Sequence, residues 1–277
     1  MDRYCVMGNP IEHSRSPWIH ARFAELTGQS LDYTRRLAPL DGFAAAVQAF
    51  RDEFPEARGC NVTVPFKFDA AALAQHVSDR AQLAQAANFL HFQPDGIHAD
   101  NTDGIGLVHD VGTHAGLDLR GRDVLLLGAG GGSSGALGPL LEAGARRVVV
   151  ANRTLAKAIA LVRRHAALAL AHQVALEAQP LDGVRGDFDL VVNATASSLS
   201  GGGVPVAASV LKPGALALDM MYGPAAAGFM AWASEHGATP RDGLGMLIEQ
   251  AAEAFYLWRG VRPPAAQVLA ELRAVVG

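Results

Sequence analysis

A lysine and an aspartate, Lys67 and Asp103, are the side chains of this sequence whose placement suggests proton transfer. Lys67 follows Pro65-Phe66 and falls in the first turn of a predicted helix. A cation is unfavourable there by about 0.3–1 kcal/mol, because the helix dipole is positive at that end. A residue that breaks a local rule invites a functional explanation, although an exposed lysine could also tolerate the penalty. Asp103 could simply cap the next helix, but if it faces Lys67 the two form an acid/base couple.

Small polar residues recur in two segments before Lys67. In Ser14-Arg15-Ser16-Pro17, Ser16 is a natural N-cap and Pro17 fits the first helical position. Local capping leaves Ser14 free, so two hydroxyls at a helix N-terminus could instead accept a carboxylate. Asn61 and Thr63 lie in a predicted strand, where the two-residue period puts both on one face.

A glycine-rich stretch after the predicted strand 123–127 indicates a dinucleotide-binding turn. The order is an apolar strand, the run Gly128-Ala129-Gly130-Gly131-Gly132 and an apolar helix, whose N-terminus would receive a pyrophosphate. The fingerprint of such turns is G-x-G-x-x-G. A count that starts at Gly128 puts Ser133 at the third glycine position, whereas a count that starts at Gly130 finds glycine at all three positions. The strand position favours the first register, although glycine clusters also form plain turns.

The end of the next predicted strand, 147–151, favours NADP over NAD. NAD sites place a carboxylate near this point, to bind the ribose hydroxyls. Here the sequence is Asn152-Arg153-Thr154, without a carboxylate. The planar fork of Arg153 suits a 2′-phosphate bidentately. The alternative is that Asn152 and Thr154 cap the next helix while Arg153 lies in solvent.

Alternating strands and helices in the second half predict a doubly wound parallel sheet. Ligands of such sheets bind at the carboxyl ends of strands, where Asn193-Ala194-Thr195 end one strand and Met220 and Tyr222 follow another. These last two could face a nicotinamide ring, although core packing accounts for Met220 equally well. Residues 197–203 have a loop composition. The predicted strands are 123–127, 147–151, 173–176, 188–192 and 215–219.

The first hundred residues predict a second α/β domain with a boundary just after Asp103. Pro94-Asp95-Gly96 is a hairpin turn, and residues 69–87 predict one or two helices. Further on, Asp242-Gly243-Leu244-Gly245 precedes an apolar helix in which Gln250 would hydrogen-bond a polyol if it faced a cleft. The predicted strands of this half are 4–8, 31–37, 59–64 and 88–92.

The totals exclude several classes of protein. The chain of 277 residues is long enough for two domains, and its net charge of −4 gives no reason to expect nucleic-acid or membrane partners. No apolar run could span a bilayer and no signal peptide is evident. Cys5 and Cys60 fall in predicted buried strands, which favours a reduced, cytoplasmic protein. The ten histidines form no HExxH motif and no tight cluster, so no metal is predicted.

Seven motifs together resemble the shikimate dehydrogenase family over essentially the whole chain. The resemblance implies an oxidoreductase that reduces 3-dehydroshikimate to shikimate with NADPH, in chorismate and aromatic amino-acid biosynthesis. It also implies that the last helices return to the first domain. The domains would then be 1–103 plus 241–277 for substrate and 104–240 for NADP, in a monomer or homodimer. The motifs are Gly8-Asn-Pro-Ile-Glu-His-Ser-Arg-Ser-Pro17, Asn61-Val-Thr-Val-Pro-Phe-Lys67, Asp100-Asn-Thr-Asp-Gly104, Gly128-Ala-Gly-Gly131, Asn152-Arg-Thr154, Asn193-Ala-Thr195 and Asp242-Gly-Leu-Gly-Met-Leu247.

Carried over by position, the resemblance makes Lys67 and Asp103 the catalytic pair. The substrate carboxylate and hydroxyls would be held by Ser14, Ser16, Asn61, Thr63, Lys67, Asn88, Asp103 and Gln250, with Tyr222 closing the site. The cofactor would contact Gly128, Ala129, Gly130, Gly131, Gly132, Asn152, Arg153, Thr154, Lys157, Asn193, Ala194, Thr195, Met220 and Gly243.

Three departures from the family pattern bear on the substrate and cofactor. Phe89 stands where the family usually has threonine, and its ring could narrow the pocket or point into the core on the opposite face. Residues 223–228 lack a polar stretch, and Lys157 could replace a second arginine at the 2′-phosphate. The alternatives are a paralogue acting on quinate or another cyclic hydroxy acid, and a non-catalytic NADP-binding sensor.

Overall fold

A computed structural model describes residues 1–195 and 203–276 and divides the chain into two compact units. Unit 1 comprises Met1–Gly106 with Ile248–Ala274, and unit 2 is built mainly from Leu107–Leu247. The predicted loop at 197–203 lies, apart from Gly203, outside the described residues. Within the described residues, no helix has the length and apolar content needed to cross a bilayer.

Unit 1 contains a six-stranded mixed sheet in the order β2-β1-β3-β5-β6-β4. β1 pairs in parallel with β2 and β3, β5 runs antiparallel to β3 and β6, and the short β4 is parallel to β6 at the edge. The strands are β1 (Asp2–Gly8), β2 (Leu31–Leu37), β3 (Ala57–Val62), β4 (His76–Val77), β5 (Phe89–Gln93) and β6 (Gly96–Asp100).

Both faces of this sheet are covered by apolar side chains. Cys5, Met7 and Leu90 belong to a cluster on one face, together with buried residues of α2 and α3. Tyr4 and Val6 belong to a cluster on the other face, together with Ala254 and Trp258. The helices of the N-terminal part are α1 (Ser16–Thr27), α2 (Phe43–Glu53), α3 (Lys67–Leu73), α4 (Asp79–Ala84) and α5 (Asp103–His109).

The prediction of one or two helices over 69–87 is confirmed as two, α3 and α4, but the short strand β4 between them was not predicted. β4 pairs with β6 between α3 and α4, and the backbone N–H of Ser78 donates to Ala99 O at 3.0 Å. Ser78 then caps α4 by accepting from Ala81 N. A cross-strand pairing with residues 22 positions later in the chain overrides the local helix propensity, which is a weak preference.

Unit 2 confirms the predicted doubly wound parallel sheet, in the order β12-β11-β10-β7-β8-β9. β7 is buried on both faces, which explains its continuous apolar sequence. The short edge strand β12 was not predicted. The strands are β7 (Asp123–Leu127), β8 (Arg147–Asn152), β9 (Ala175–Pro180), β10 (Phe188–Asn193), β11 (Leu211–Asp219) and β12 (Thr239–Arg241); the helices are α6 (Gly131–Glu142), α7 (Leu155–Ala171) and α8 (Ala227–Glu235). The C-terminal helices α9 (Leu244–Arg259) and α10 (Ala265–Val276) lie mainly in unit 1.

The sheet order fixes where a ligand of unit 2 would bind. The first two connections lead from β7 outward to β9, and the chain then returns to place β10 on the other side of β7. This reversal is a topological switch point, where the loops after two adjacent strands turn in opposite directions and leave a crevice. The loops that follow β7 and β10 are therefore the expected cofactor site.

Candidate active site

Lys67 and Asp103 meet in unit 1. Lys67 Nζ donates to Asp103 Oδ2 at 2.6 Å, and the two side chains are only 15% and 6% exposed. Lys67 is the first residue of α3 and Asp103 is the first residue of α5. The two helix starts thus bring an ammonium and a carboxylate together in a largely desolvated place, where each charge is stabilised by the other.

Asn88 is the hub of the polar network around Asp103. Its Nδ2 lies 2.9 Å from Thr102 Oγ1, 2.9 Å from Asp103 Oδ1 and 3.0 Å from Gln250 Oε1. Its Oδ1 accepts from the backbone N–H of Thr102 at 2.8 Å. An amide nitrogen carries two hydrogens, so three acceptors must share them. Both carboxylate oxygens of Asp103 are thereby engaged, one by Asn88 and one by Lys67.

Two hydrogen bonds hold Asn61 on β3, which ends at Val62, before the Thr63 that was predicted to lie in the same strand. Its Oδ1 accepts from Tyr33 Oη at 2.7 Å, and its Nδ2 donates to Asn88 O at 3.2 Å. Thr63 follows the end of β3, and a Cβ at Gly8 would lie 2.4 Å from its methyl carbon, so a larger residue there would require a shift. The chain from Tyr33 through Asn61 to Asn88 links three segments of unit 1.

The prediction that Ser16 caps α1 is wrong. Ser16 is already the first helical residue, Arg15 occupies the cap position, and no side chain makes a cap hydrogen bond. Ser14, rather than Ser16, supplies the accepting hydroxyl: Ser14 Oγ accepts from the backbone N–H of Ser16 at 3.3 Å. That bond leaves the hydroxyl hydrogen of Ser14 available as a donor. Arg35 holds the Ser14 carbonyl through Nε and Nη2 at 2.8 and 2.6 Å.

Phe89 points into the core, but not on the opposite face. It lies directly across from Asn61 in the antiparallel pairing of β3 and β5, so the two side chains share a face. Phe89 is 4% exposed and stacks on Trp258 at a ring-centroid distance of 4.9 Å. The ring is thus absorbed by apolar packing beside the polar network.

The glycine turn of unit 2 adopts the arrangement expected of the first register. Gly128 follows β7 directly and has φ +106°, a conformation that suits glycine. A Cβ at Gly128 would also lie only 3.1 Å from Ala194 O, so the loops after β7 and β10 approach each other closely. Gly130 is the N-cap of α6, and Gly131 and Gly132 lie in its first turn, where backbone N–H groups have no acceptor within the helix.

Two exposed cations follow β8. Arg153 and Lys157 are both exposed, and no carboxylate of the described residues pairs with either. Asn152 Nδ2 donates to Thr154 O at 2.9 Å, and Thr154 makes no side-chain cap bond to α7. Of the alternative, Arg153 is exposed and Thr154 occupies the N-cap position of α7 as expected, but the expected side-chain cap bond of Thr154 is not formed. Free cations at this point suit a phosphate dianion.

The ends of β10 and β11 are locked together. Asn193 Nδ2 donates to Asp219 Oδ2 at 2.9 Å, and Thr195 Oγ1 donates to Asn193 Oδ1 at 2.7 Å. Met220 follows β11 and its sulfur lies 3.3 Å from the position of a Cβ on Gly132. Tyr222 is half-buried and precedes the short helical turn Gly223–Ala225. Asn193 and Thr195 thus shape the loop that faces Gly128.

Close packing explains the motif Asp242-Gly243-Leu244-Gly245. A Cβ on Gly243 would lie 2.2 Å from Met220 O, and a Cβ on Gly245 would lie 1.8 Å from Asp110 Oδ1. Asp110 is completely buried, and its two carboxylate oxygens accept from Nε and Nη2 of Arg241. The glycines let the start of α9 pack against these groups.

Sequence reasoning missed several residues of the network. Thr102 and Asn101 stand in a quoted motif, but only the structure shows that Thr102 bonds Asn88 and that Asn101 Oδ1 accepts from Asp103 N at 3.1 Å. Tyr33 and the buried pair of Asp110 and Arg241 carry no local signal in the sequence, because their partners are distant along the chain.

Comparison with known proteins identifies the family. Family models match residues 6–90 as a shikimate dehydrogenase substrate binding domain, 111–200 as a shikimate / quinate 5-dehydrogenase and 243–273 as a shikimate 5'-dehydrogenase C-terminal domain. Shikimate dehydrogenase (NADP(+)) of Paracidovorax citrulli is 66% identical over 274 residues, covering 99% of this chain and 97% of that protein. The chain belongs to the shikimate dehydrogenase family. The resemblance seen in the seven motifs is thereby confirmed.

Solved structures similar to this chain share its fold over the full length. An Ael1 enzyme from Pseudomonas putida is 46% identical, with a TM-score of 0.88 and 98% of each chain covered. Shikimate 5-dehydrogenase from Thermus thermophilus, crystallised with NADP(H) and shikimate, is 30% identical, with a TM-score of 0.82 and 99% of each chain covered. Membership of the shikimate dehydrogenase family thus rests on sequence and fold together.

Proposed function

We propose that this protein catalyses the NADPH-dependent, reversible reduction of 3-dehydroshikimate to shikimate in chorismate and aromatic amino-acid biosynthesis. The observation that carries the proposal is the desolvated contact between Lys67 and Asp103, supported by Asn88. A protein that only binds NADP would have no use for such a pair. Family membership, with close relatives named shikimate dehydrogenase (NADP(+)), supports the same substrate and cofactor.

Lys67 is the group that meets the charge developed in the reaction. NADPH supplies, when bound, a hydride for the C3 carbonyl carbon of the substrate. The carbonyl oxygen then becomes an alkoxide, and the Lys67 ammonium can stabilise it or give it a proton. Asp103 orients the ammonium, and at 15% exposure Lys67 keeps access to water for regaining a proton. Burial strengthens both effects, because the local dielectric constant is lower than that of water.

The substrate would be bound by the remaining polar groups of unit 1. We assign the carboxylate to Ser14 and Ser16, and the ring hydroxyls to Asn61, Thr63, Asn88, Asp103 and Gln250. The shared hydrogens of Asn88 support this assignment, since Gln250 can turn toward a hydroxyl while Asn88 keeps two acceptors. Tyr222 is assigned to closure of the site on the basis of the family pattern.

The cofactor is assigned to unit 2. We place the pyrophosphate at the 128–132 turn and the N-terminus of α6, and the 2′-phosphate at Arg153 and Lys157, with Asn152 and Thr154 shaping that turn. The nicotinamide is assigned to Met220 and to the 193–195 loop. Gly243 contributes by allowing close packing against the carbonyl of Met220. Together with the compact units, these assignments support a substrate domain of 1–103 plus 241–277 and an NADP domain of 104–240.

Compartment and assembly complete the proposal. Cys5 and Cys60 are neighbours in register on β1 and β3, yet both are free thiols, which fits the reducing cytoplasm. We propose that the enzyme acts there as a monomer or homodimer. Light scattering of the purified protein distinguishes these states.

Initial rates of cofactor oxidation test the function. We expect turnover with NADPH and 3-dehydroshikimate, and much lower kcat/KM with NADH or with 3-dehydroquinate. Efficient turnover of 3-dehydroquinate would instead favour the quinate paralogue. Tight NADPH binding without turnover of either acid would make the protein a sensor and would contradict the proposal.

Two single variants separate the catalytic role proposed for Lys67 from the cofactor-binding role proposed for Arg153. Lys67→Ala should lower kcat about 10²–10⁴-fold, the usual contribution of general acid–base catalysis, with a smaller change in KM. Arg153→Ala should raise the KM for NADPH while leaving kcat and the KM for NADH nearly unchanged. An unchanged kcat in Lys67→Ala, where chemistry limits turnover, would refute its catalytic role.

A further inference from the structure

Three histidines lie side by side across one edge of the sheet in unit 1. His76 of β4 pairs in register with His98 of β6, and His98 pairs in register with His91 of β5. Residues directly opposite on paired strands share a face, so the three imidazoles form a row. Asp95 lies in the turn between β5 and β6, immediately before Gly96. The strand register therefore assembles a cluster that the spacing along the chain conceals.

Distances within this cluster approach those of a metal site. His98 Nε2 lies 2.9 Å from Asp95 Oδ1, and His76 Nε2 lies 3.5 Å from Asp95 Oδ2. The rings of His76 and His98 are 4.4 Å apart, and one donor atom from each of the three residues lies within 4.8 Å of the others. A tetrahedral Zn²⁺ with bonds of about 2.0–2.1 Å holds its ligand atoms about 3.3 Å apart. Small side-chain rotations would thus suffice for coordination.

We propose that His76, Asp95 and His98 form a binding site for a borderline divalent metal ion, with Zn²⁺ as its representative. Two imidazoles and one carboxylate are a donor set that suits Zn²⁺, whereas Mg²⁺ and Ca²⁺ prefer oxygen ligands throughout. His76 and Asp95 are exposed and His98 is half-buried, so water can complete the coordination shell. The proposal departs from the expectation from the sequence that the protein has no metal site.

The site has a structural consequence for the sheet edge. β4 is only two residues long and is the last strand of the sheet. An ion bound by His76 on β4, His98 on β6 and Asp95 in the turn would join three segments that separate on unfolding. Ion binding would then stabilise the fold of unit 1, because an unfolded chain does not present the three ligands together. The proposal does not depend on the reaction proposed above.

His91 provides a matched control within the row. It lies on the same face as His98, and one of its ring nitrogens is 3.1 Å from Gln93 Nε2. It does not belong to the group of donor atoms that lie within 4.8 Å of one another. A variant that removes His91 therefore deletes an adjacent imidazole while leaving all three proposed ligands in place.

The test uses the full-length protein without a histidine tag, freed of metal by a chelator and titrated with ZnCl₂ in a calorimeter. We expect one Zn²⁺ per chain, with affinity lowered at least about tenfold in His76→Ala and His98→Ala and retained in His91→Ala. Zn²⁺ should raise the melting temperature of the wild-type protein and of His91→Ala, but not that of His98→Ala. Co²⁺ should give a visible absorption band without a thiolate charge-transfer band, since Cys5 and Cys60 are not ligands.

Four results would overturn the proposal. These are the absence of binding at millimolar Zn²⁺, binding that His76→Ala and His98→Ala leave unchanged, equal loss of binding in His91→Ala, and a Co²⁺ spectrum dominated by thiolate charge transfer. Circular dichroism of each variant establishes that loss of binding does not reflect loss of the fold.

Discussion

The buried His165 of α7 predicts a loss of stability in mild acid that a single substitution should reduce. His165 is 1% exposed, and its Nδ1 lies 3.0 Å from Leu161 O. Burial lowers the pKa of His165 from 6.5 to about 4; the hydrogen bond to Leu161 acts in the opposite direction, and the charge of Arg164 lowers the pKa further. The imidazole is therefore neutral in the folded protein throughout mild acid.

The direction of the change in stability with pH follows from the number of protons that the folded and the unfolded protein bind. Between about pH 4 and 6.5 the unfolded chain binds a proton at His165 that the folded protein does not bind, so stability falls as the pH falls. With about 1.4 kcal/mol for each pKa unit, His165 contributes a loss of about 2 kcal/mol between pH 7 and pH 5. Below about pH 4 the folded protein also takes up the proton, and the loss stops growing.

Urea denaturation followed by circular dichroism at pH 7, 6 and 5 measures this contribution. His165→Leu should lose about 2 kcal/mol less stability than wild type over that interval, because leucine has no proton to bind. His172→Ala is the matched control, since His172 is exposed at the end of the same helix. Buried His20 of unit 1, whose pKa is lowered by burial to about 3, is present in all three proteins and cancels in the comparison.

Parallel loss of stability in wild type and His165→Leu would refute the reasoning. It would mean that His165 is protonated in the folded protein at pH 5, or that unit 2 opens locally to let the proton in. A His172→Ala variant with the same reduced acid sensitivity would refute it as well, because the effect is attributed to the burial of His165 and His172 is exposed.

Two further substitutions test the networks that hold the site. Asn88→Ala should lower the free energy of unfolding by about 2–4 kcal/mol, because the buried N–H of Thr102 and the Asp103 carboxylate each lose a partner. It should also lower kcat/KM. A variant with wild-type activity and wild-type stability would contradict the role of the network. Arg241→Met should cost about 3–5 kcal/mol by leaving the fully buried Asp110 charge unpaired. The double variant Asp110→Leu with Arg241→Met should recover part of that loss in urea denaturation, and simple additivity of the two single losses would refute this explanation.

Local patterns were sufficient for most of the elements and for the class of chemistry. Continuous apolar strands, the glycine turn at 128–132 and the absence of a carboxylate near Arg153 predicted a parallel nucleotide-binding sheet and NADP, because each signal lies within a few neighbouring residues. Ser16 and the 69–87 segment show the limit of this reasoning. Capping and helix propensity there were outweighed by a reversed hydrogen bond and by strand pairing at long range.

The sequence by itself determined the family, the residue types of the acid/base pair and the alternation of unit 2, because these depend on composition and on local periodicity. Only the tertiary structure decided that Lys67 touches Asp103, that Asn88 serves three acceptors and that Phe89 shares a face with Asn61. It also decided that His76 and His98 stand in register. These contacts join residues that are up to 162 positions apart, and their formation depends on strand order and register, which no local pattern encodes.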